Sequence, residues 1–176
     1  MRRIVTGNDR EGRSTVISDG TAPRTTNFKT LPGFSDTLLW ATEPGNALDT
    51  SGRDITGEVT SFVPAPGGTR LLVMTFPPDA VREGPEFDPA AMGAEFYGAM
   101  PGLAELFEPS GVHTTPTFDF AVVVEGEFTL EIDDGQLTTV GVGDVVIQNG
   151  TSHAWRNRTD KPATILVALI GAAAAE

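Results

Sequence analysis

The stretch His113-Thr114-Thr115-Pro116-Thr117-Phe118-Asp119, followed by Val122-Val123-Val124-Glu125-Gly126, Gly143-Asp144 and Gly150-Thr151-Ser152-His153-Ala154-Trp155-Arg156-Asn157, decides how this chain is read. Both histidines of the 176-residue protein lie in it, each beside a turn. Histidine is the commonest metal-ligating side chain and the usual acid–base group near neutral pH. Around the histidines the pattern is strand, turn, strand. Phe118–Val124, Phe128–Ile132, Leu137–Val140, Val145–Gln148, Ser152–Asn157 and Ala163–Leu169 are β-prone and separated by Gly and Asp turns. Even spacing of this kind predicts an all-β fold, an antiparallel sandwich or barrel.

Working outward, residues 88–108 form the one convincing helical region, interrupted by Pro101-Gly102, after which Leu103–Phe107 could form one more turn. Asp88 is a good N-cap and Pro89 occupies the first helical position, where its missing N–H costs nothing. Ala91, Met92, Glu95, Phe96 and Met100 recur at roughly helical spacing. The segment leads straight into His113, so it is either a plain helix closing one edge of the barrel or a lid. Before it, Thr69–Phe76 is a strand stopped by Pro77 and Pro78. Further back, Asp36–Thr42 reads as a strand, Pro44–Gly68 as loop with a small strand at Glu58–Val63, and Arg3–Thr6, Ser14–Ser18 and Thr25–Thr30 as short β pieces. The expected organisation is one domain: N-terminal strands and loops over 1–68 packing on a barrel over 69–171, with a tail at 172–176. Trp40, Arg70, Leu72 and Met74 are candidates to line its interior.

Composition narrows the function. Asp and Glu outnumber Lys and Arg by 24 to 12, for a net charge of −12. Such a surface repels phosphate backbones and anionic lipid, so neither nucleic acid nor membrane is an expected partner. With no cysteine in the chain, disulfides, thiolate zinc sites and cysteine nucleophiles are excluded. No signal-peptide core and no bilayer-length apolar run is present, which makes the cytoplasm the expected compartment.

The chemistry-bearing residues converge only if the chain bends. On one straight strand His113 and Asp119 would lie ~20 Å apart at ~3.3 Å per residue. Pro116 cannot donate to a ladder and favours a bend there, which lets Asp119 fold back towards His113. His153 would arrive on a neighbouring strand after the Gly150 turn. Two imidazoles and a carboxylate suit non-haem Fe(II), and also Zn, Mn, Ni or Co. Thr115 reads as a spacer or supporting hydroxyl. Trp155 shares the parity of His153 and lines the cavity or the core. Gln148 either faces the cavity or, near its turn, faces solvent. Asn157 is expected to satisfy backbone groups.

The segment resembles the cupin superfamily of small antiparallel barrels. The first family motif is matched by His113, Thr115, Asp119 and Gly126, and the second by Gly143-Asp144, Gly150, His153 and Asn157. Three departures stand out: Thr115 replaces the second histidine, Asp119 replaces a glutamate, and Gln148 sits where proline is usual. The family glycine six residues before the first histidine is replaced by Phe107. The resemblance implies a cupin barrel, one divalent transition metal (Fe, Zn, Ni or Mn) held by His113, Asp119 and His153, and a homodimer. It also implies an enzyme acting on a small organic acid, ketone, phenol or polyketide-like molecule, by dioxygenation or by Lewis-acid lyase, isomerase or cyclase chemistry. The alternative is a non-catalytic module that binds or senses a small ligand without metal.

Overall fold

The computed structural model describes residues 1–173. Of the expected tail, 174–176 lie outside the described residues. Among the described residues, eleven strands and one α-helix follow in chain order: β1 (Arg2–Asn8), β2 (Ser14–Thr21), β3 (Arg24–Asn27), β4 (Ser35–Thr42), β5 (Thr69–Phe76), α1 (Pro89–Ala99), β6 (Thr117–Glu125), β7 (Glu127–Ile132), β8 (Leu137–Gly141), β9 (Val145–Asn149), β10 (His153–Arg156) and β11 (Ala163–Gly171). A six-stranded sheet runs β3-β4-β5-β11-β6-β9 and a three-stranded sheet runs β10-β7-β8, with every pairing antiparallel. β1 and β2 form a separate hairpin. This is the all-β antiparallel barrel that the strand spacing predicts, jelly-roll-like as the cupin resemblance implies, with one short helix among the described residues.

Alternation places the core. In β6, Thr117, Asp119, Ala121 and Val123 point inward and are buried, while Phe118 and Phe120 point outward and are exposed. The inward residues of β5 and β11, Leu72, Ile165, Val167 and Leu169, meet Phe128, Val140 and Trp155 of the smaller sheet. Gly126 makes the tight β6–β7 turn with φ of +72°. A Cβ there would lie 2.8 Å from the Pro162 carbonyl oxygen, so both conformation and space require glycine. Asn157 is fully buried. Its amide donates to the Phe76 and Lys161 carbonyls while its Oδ1 accepts from Thr159, so it ties three chain segments together, as expected.

One expectation changes. Glu58–Val63 is not a strand. Its backbone is satisfied without a ladder: Arg24 donates to the Thr56 and Val59 carbonyls, and the Phe62 N–H donates to the Pro101 carbonyl. Phe62 and Val59 are buried core residues nonetheless. The helical region breaks at Pro101-Gly102 as expected: α1 ends at Ala99, and Ala104–Leu106 forms a separate 3-10 turn. The Asp88 side chain accepts from the Ala90 and Ala91 N–H groups, confirming the cap. β3 and β4, from within the 1–68 segment, are hydrogen-bonded into the barrel sheet. Among the described residues no helix is long and apolar enough to cross a membrane.

Candidate active site

A cavity of about 430 Å³ opens between the two sheets and is walled on one side by α1. Its size falls in the range of small-molecule sites. Phe34, Phe76, Met92, Phe96, Met100 and Leu72 give it an apolar body. His113, Thr115, Asp119, Gln148, His153 and Trp155 give it a polar end.

The chain brings the two histidines together through the backbone. His113 stands outside β6, beyond the bend at Pro116, and forms an isolated bridge with His153. Each donates its N–H to the other's carbonyl at 3.0 Å. The two rings lie 4.3 Å apart, tilted by 53°. His153 Nδ1 bonds the Thr151 carbonyl at 2.9 Å, and His113 Nδ1 faces the Gly111 carbonyl at 3.4 Å. A carbonyl only accepts, so Nδ1 carries the proton and Nε2 keeps a free lone pair in each ring. Burial pushes the His113 imidazole down to about 4, and the neighbouring His153 adds to this. Burial lowers His153 as well. Both rings are therefore neutral at neutral pH.

Asp119 faces the same cavity from β6 and is buried. Thr117 donates to Thr115 at 2.8 Å, and Thr115 donates to Asp119 Oδ2 at 3.4 Å. Asp119 Oδ1 has no partner. Burial raises the Asp119 carboxyl, and bonds from Thr117 and Thr115 oppose the rise. Directly across the ladder is Gln148, whose buried Nε2 also lacks a partner. Buried polar atoms are nearly always paired, so an unpaired acceptor and an unpaired donor on facing residues mark a place built for a ligand or ion.

The donor chemistry fits a divalent metal: two free imidazole Nε2 atoms and one unpartnered carboxylate oxygen. Among the described residues, however, no three His, Asp or Glu side chains are already gathered at coordinating distance. The structure joins His113 to His153 and places Asp119 on the same cavity, beside Thr115 rather than against the imidazoles.

Other sequence readings are sorted by this geometry. Trp155 lines the cavity, with its ring 6.3 Å from His153 and edge-on. Gln148 is buried in the cavity wall rather than solvated. Leu72 and Met74 line the cavity; Trp40 and Arg70 do not. Trp40 packs under the Arg3 guanidinium on the outer side, beyond a register shift in β4. Arg70 is buried by bonds to Glu43 and to the Ser61, Thr42 and Thr69 carbonyls. Phe107 was not singled out as a site residue, yet its ring stacks on His113 at 4.1 Å. Its occupation of a family glycine position was the signal. Arg82, from the 3-10 turn Asp79–Glu83, also reaches the cavity and was missed.

Residues 105–169 match the family model described as Cupin domain. Among curated proteins, Oryzines biosynthesis cluster protein J of Aspergillus oryzae is 51% identical over 45 residues, 26% of this chain and 25% of that protein. The cupin-domain-containing oxidoreductase virC of Hypocrea virens is 38% identical over 50 residues, 28% of this chain and 26% of that protein. The chain thus spans about a quarter of the length of the curated relatives it matches. Among solved structures, a cupin 2 conserved barrel domain protein from Salinispora arenicola CNS-205 aligns with a TM-score of 0.37 and 15% identity, over 59% of this chain and 64% of that one. The matched segment, with the barrel around it and its two motif histidines, marks residues 105–169 as a cupin domain.

Proposed function

We propose that this cupin is a small-molecule enzyme whose reaction centre is the polar end of the cavity, around His113, His153 and Asp119. The observation that carries the reading is the pair of neutral imidazoles, His153 buried and His113 half-buried, with Nδ1 turned to backbone carbonyls and Nε2 free in the cavity. Similarity to proteins described as cupin-domain-containing oxidoreductases supports an oxidative reaction over a redox-neutral one.

The residues that would hold a divalent metal are His113 and His153 through Nε2 and Asp119 through Oδ1. When bound, such an ion polarises a substrate oxygen as a Lewis acid, and Fe(II) adds oxygen chemistry. The protein's own contribution is orientation and exclusion of water. Phe107 stacked on one face of His113 and Trp155 edge-on to His153 hold the rings against rotation. The apolar body formed by Phe34, Phe76 and Phe96 keeps solvent from the reacting end. Gln148 Nε2, a buried donor with no partner among the described residues, would hold a substrate oxygen beside Asp119.

A second reading, a metal-free ligand-binding module, is favoured by the Thr115 hydroxyl standing where the family places another ligand and by its bond to Asp119. Elemental analysis of untagged protein purified anaerobically separates the two. We expect near-stoichiometric transition metal, with His113→Ala and His153→Ala each losing tight binding at unchanged circular dichroism. Full metal content in either variant would sink the assignment. Absence of metal from wild type, even after soaking, would favour the binding module.

A further inference from the structure

We propose that Arg82 anchors a carboxylate of the substrate at the His113 end of the cavity. This inference rests on the reading of the cavity as a substrate site and names the class of molecule it takes: a mostly apolar organic acid.

The buried or half-buried arginines of this protein are otherwise well supplied. Arg24 donates to two carbonyls, Arg70 to one carboxylate and three carbonyls, and Arg156 to Glu131 and the Ser110 carbonyl. Arg82 is half-buried and lines the cavity, and it makes no hydrogen bond or ion pair among the described residues. A guanidinium presents five N–H donors in a fixed fork, and removing it from water without partners is costly. The charges that face it are Asp79 and Arg156. Asp79 accepts from the Asn157 N–H at 3.2 Å. Arg156 is a like charge whose repulsion an anion between them would relieve. The fork matches a carboxylate in two-pronged fashion.

Gly111 fixes where that group would sit. It adopts φ of +85°, and a Cβ on it would lie 3.2 Å from Arg156 Nη1 and 4.0 Å from Arg82 Nη1. Both guanidiniums therefore converge on the Gly111 backbone, two residues from His113. A carboxylate held there leaves the rest of the molecule between the imidazoles and the aromatic wall.

The test is calorimetric titration of full-length protein at pH 7.5 with 4-phenylbutanoate and its uncharged counterpart 4-phenylbutanamide. Wild type is expected to prefer the acid by about tenfold, the worth of one charge-assisted pair in a partly dry site. Arg82→Gln is expected to bring acid affinity down to that of the amide while amide binding is unchanged, and Arg82→Lys to retain part of the preference. Equal binding of acid and amide by wild type would overturn the anchor and leave the cavity reading intact. So would an equal loss of both in Arg82→Gln, or an acid preference that survives in it, which would assign the anion to another cation. Failure of wild type to bind either probe would overturn the cavity reading and the anchor together.

Discussion

At the scale of single residues, the most informative side chain outside the cavity is Asp36. It is the second residue of β4, is 2% exposed, and its Oδ1 has no partner among the described residues. Burial pushes its carboxyl up to about 7, against the opposing charge of Arg24. The sign follows from proton counting. Between the ordinary value near 4 and about 7, the folded protein keeps a proton that the unfolded chain has lost, so stability falls as pH rises through that window. Asp36→Asn removes the titration. Its gain over wild type in urea melts should be near zero at pH 4 and grow to about 2–4 kcal/mol by pH 8. A gain independent of pH would show that Asp36 is not the titrating group. Nothing local marks Asp36, because Ser-Asp-Thr reads as an ordinary strand start, while the Arg24 whose charge it feels is held by the distant Thr56 and Val59 carbonyls and lies over the Phe62 ring. The histidines were legible for the opposite reason: their turns and spacing are local. The sequence leaves Gln148 between cavity and solvent because its environment is set by its cross-strand neighbour Asp119, a pairing that only the β6–β9 register reveals.

At the scale of elements, α1 is held less by itself than by its attachments. It has eleven residues, contains Gly93 and Gly98, and buries none of its side chains fully. Glycine and short length both make a helix marginal in isolation. Two contacts fasten it. Phe96 packs on Phe28 and Phe34 at ring separations of 4.6 and 5.1 Å, and the Glu95 carboxylate accepts the Lys29 and Thr30 N–H groups and the Thr30 hydroxyl. Glu95→Ala should lower global stability by only about 1 kcal/mol. Yet it should speed chymotryptic cutting at the exposed Tyr97 several-fold, because the helix opens locally before the barrel does. An unchanged cutting rate would show that Phe96 alone fastens the helix. Slower cutting in the presence of 4-phenylbutanoate would mark α1 as a lid, and an unaffected rate would mark it as a fixed wall. The cap of this helix was readable from Asp88-Pro89, but its tether was not, since Glu95 meets residues 65 and 66 positions away.

At the scale of the molecule, the outer face of the six-stranded sheet is half covered. Ala22, Leu39 and Val73, with Leu71 and Leu166 against them, form a small second core beneath the N-terminal segment. The other half of the same face is open: Phe118, Phe120, Val145 and Ile147 are each between 44% and 59% exposed. Phe120 pairs with Ile147, and Val122 with Val145, in one continuous outward row. No outward residue of β6, β9 or β11 from Phe118 to Val124, Val145 to Asn149 or Leu166 to Ile170 is charged, in a chain carrying −12. β9 is also an unpaired sheet edge without lysine or proline to guard it. An uncharged window on a strongly acidic surface is where two like-charged copies approach at least cost, so the occupant expected here is a second copy of this chain. The prediction is a dimer in sedimentation at micromolar concentration and physiological salt. Ile147→Glu should weaken it by about a hundredfold or more, since each copy would then bury an unpaired charge. Titration of 4-phenylbutanamide into the Ile147→Glu monomer should match wild type, because Ile147 points away from the cavity while its neighbour Gln148 points in. A wild-type monomer at tens of micromolar, or a dimer indifferent to Ile147→Glu, would mean that this face serves a different partner or none.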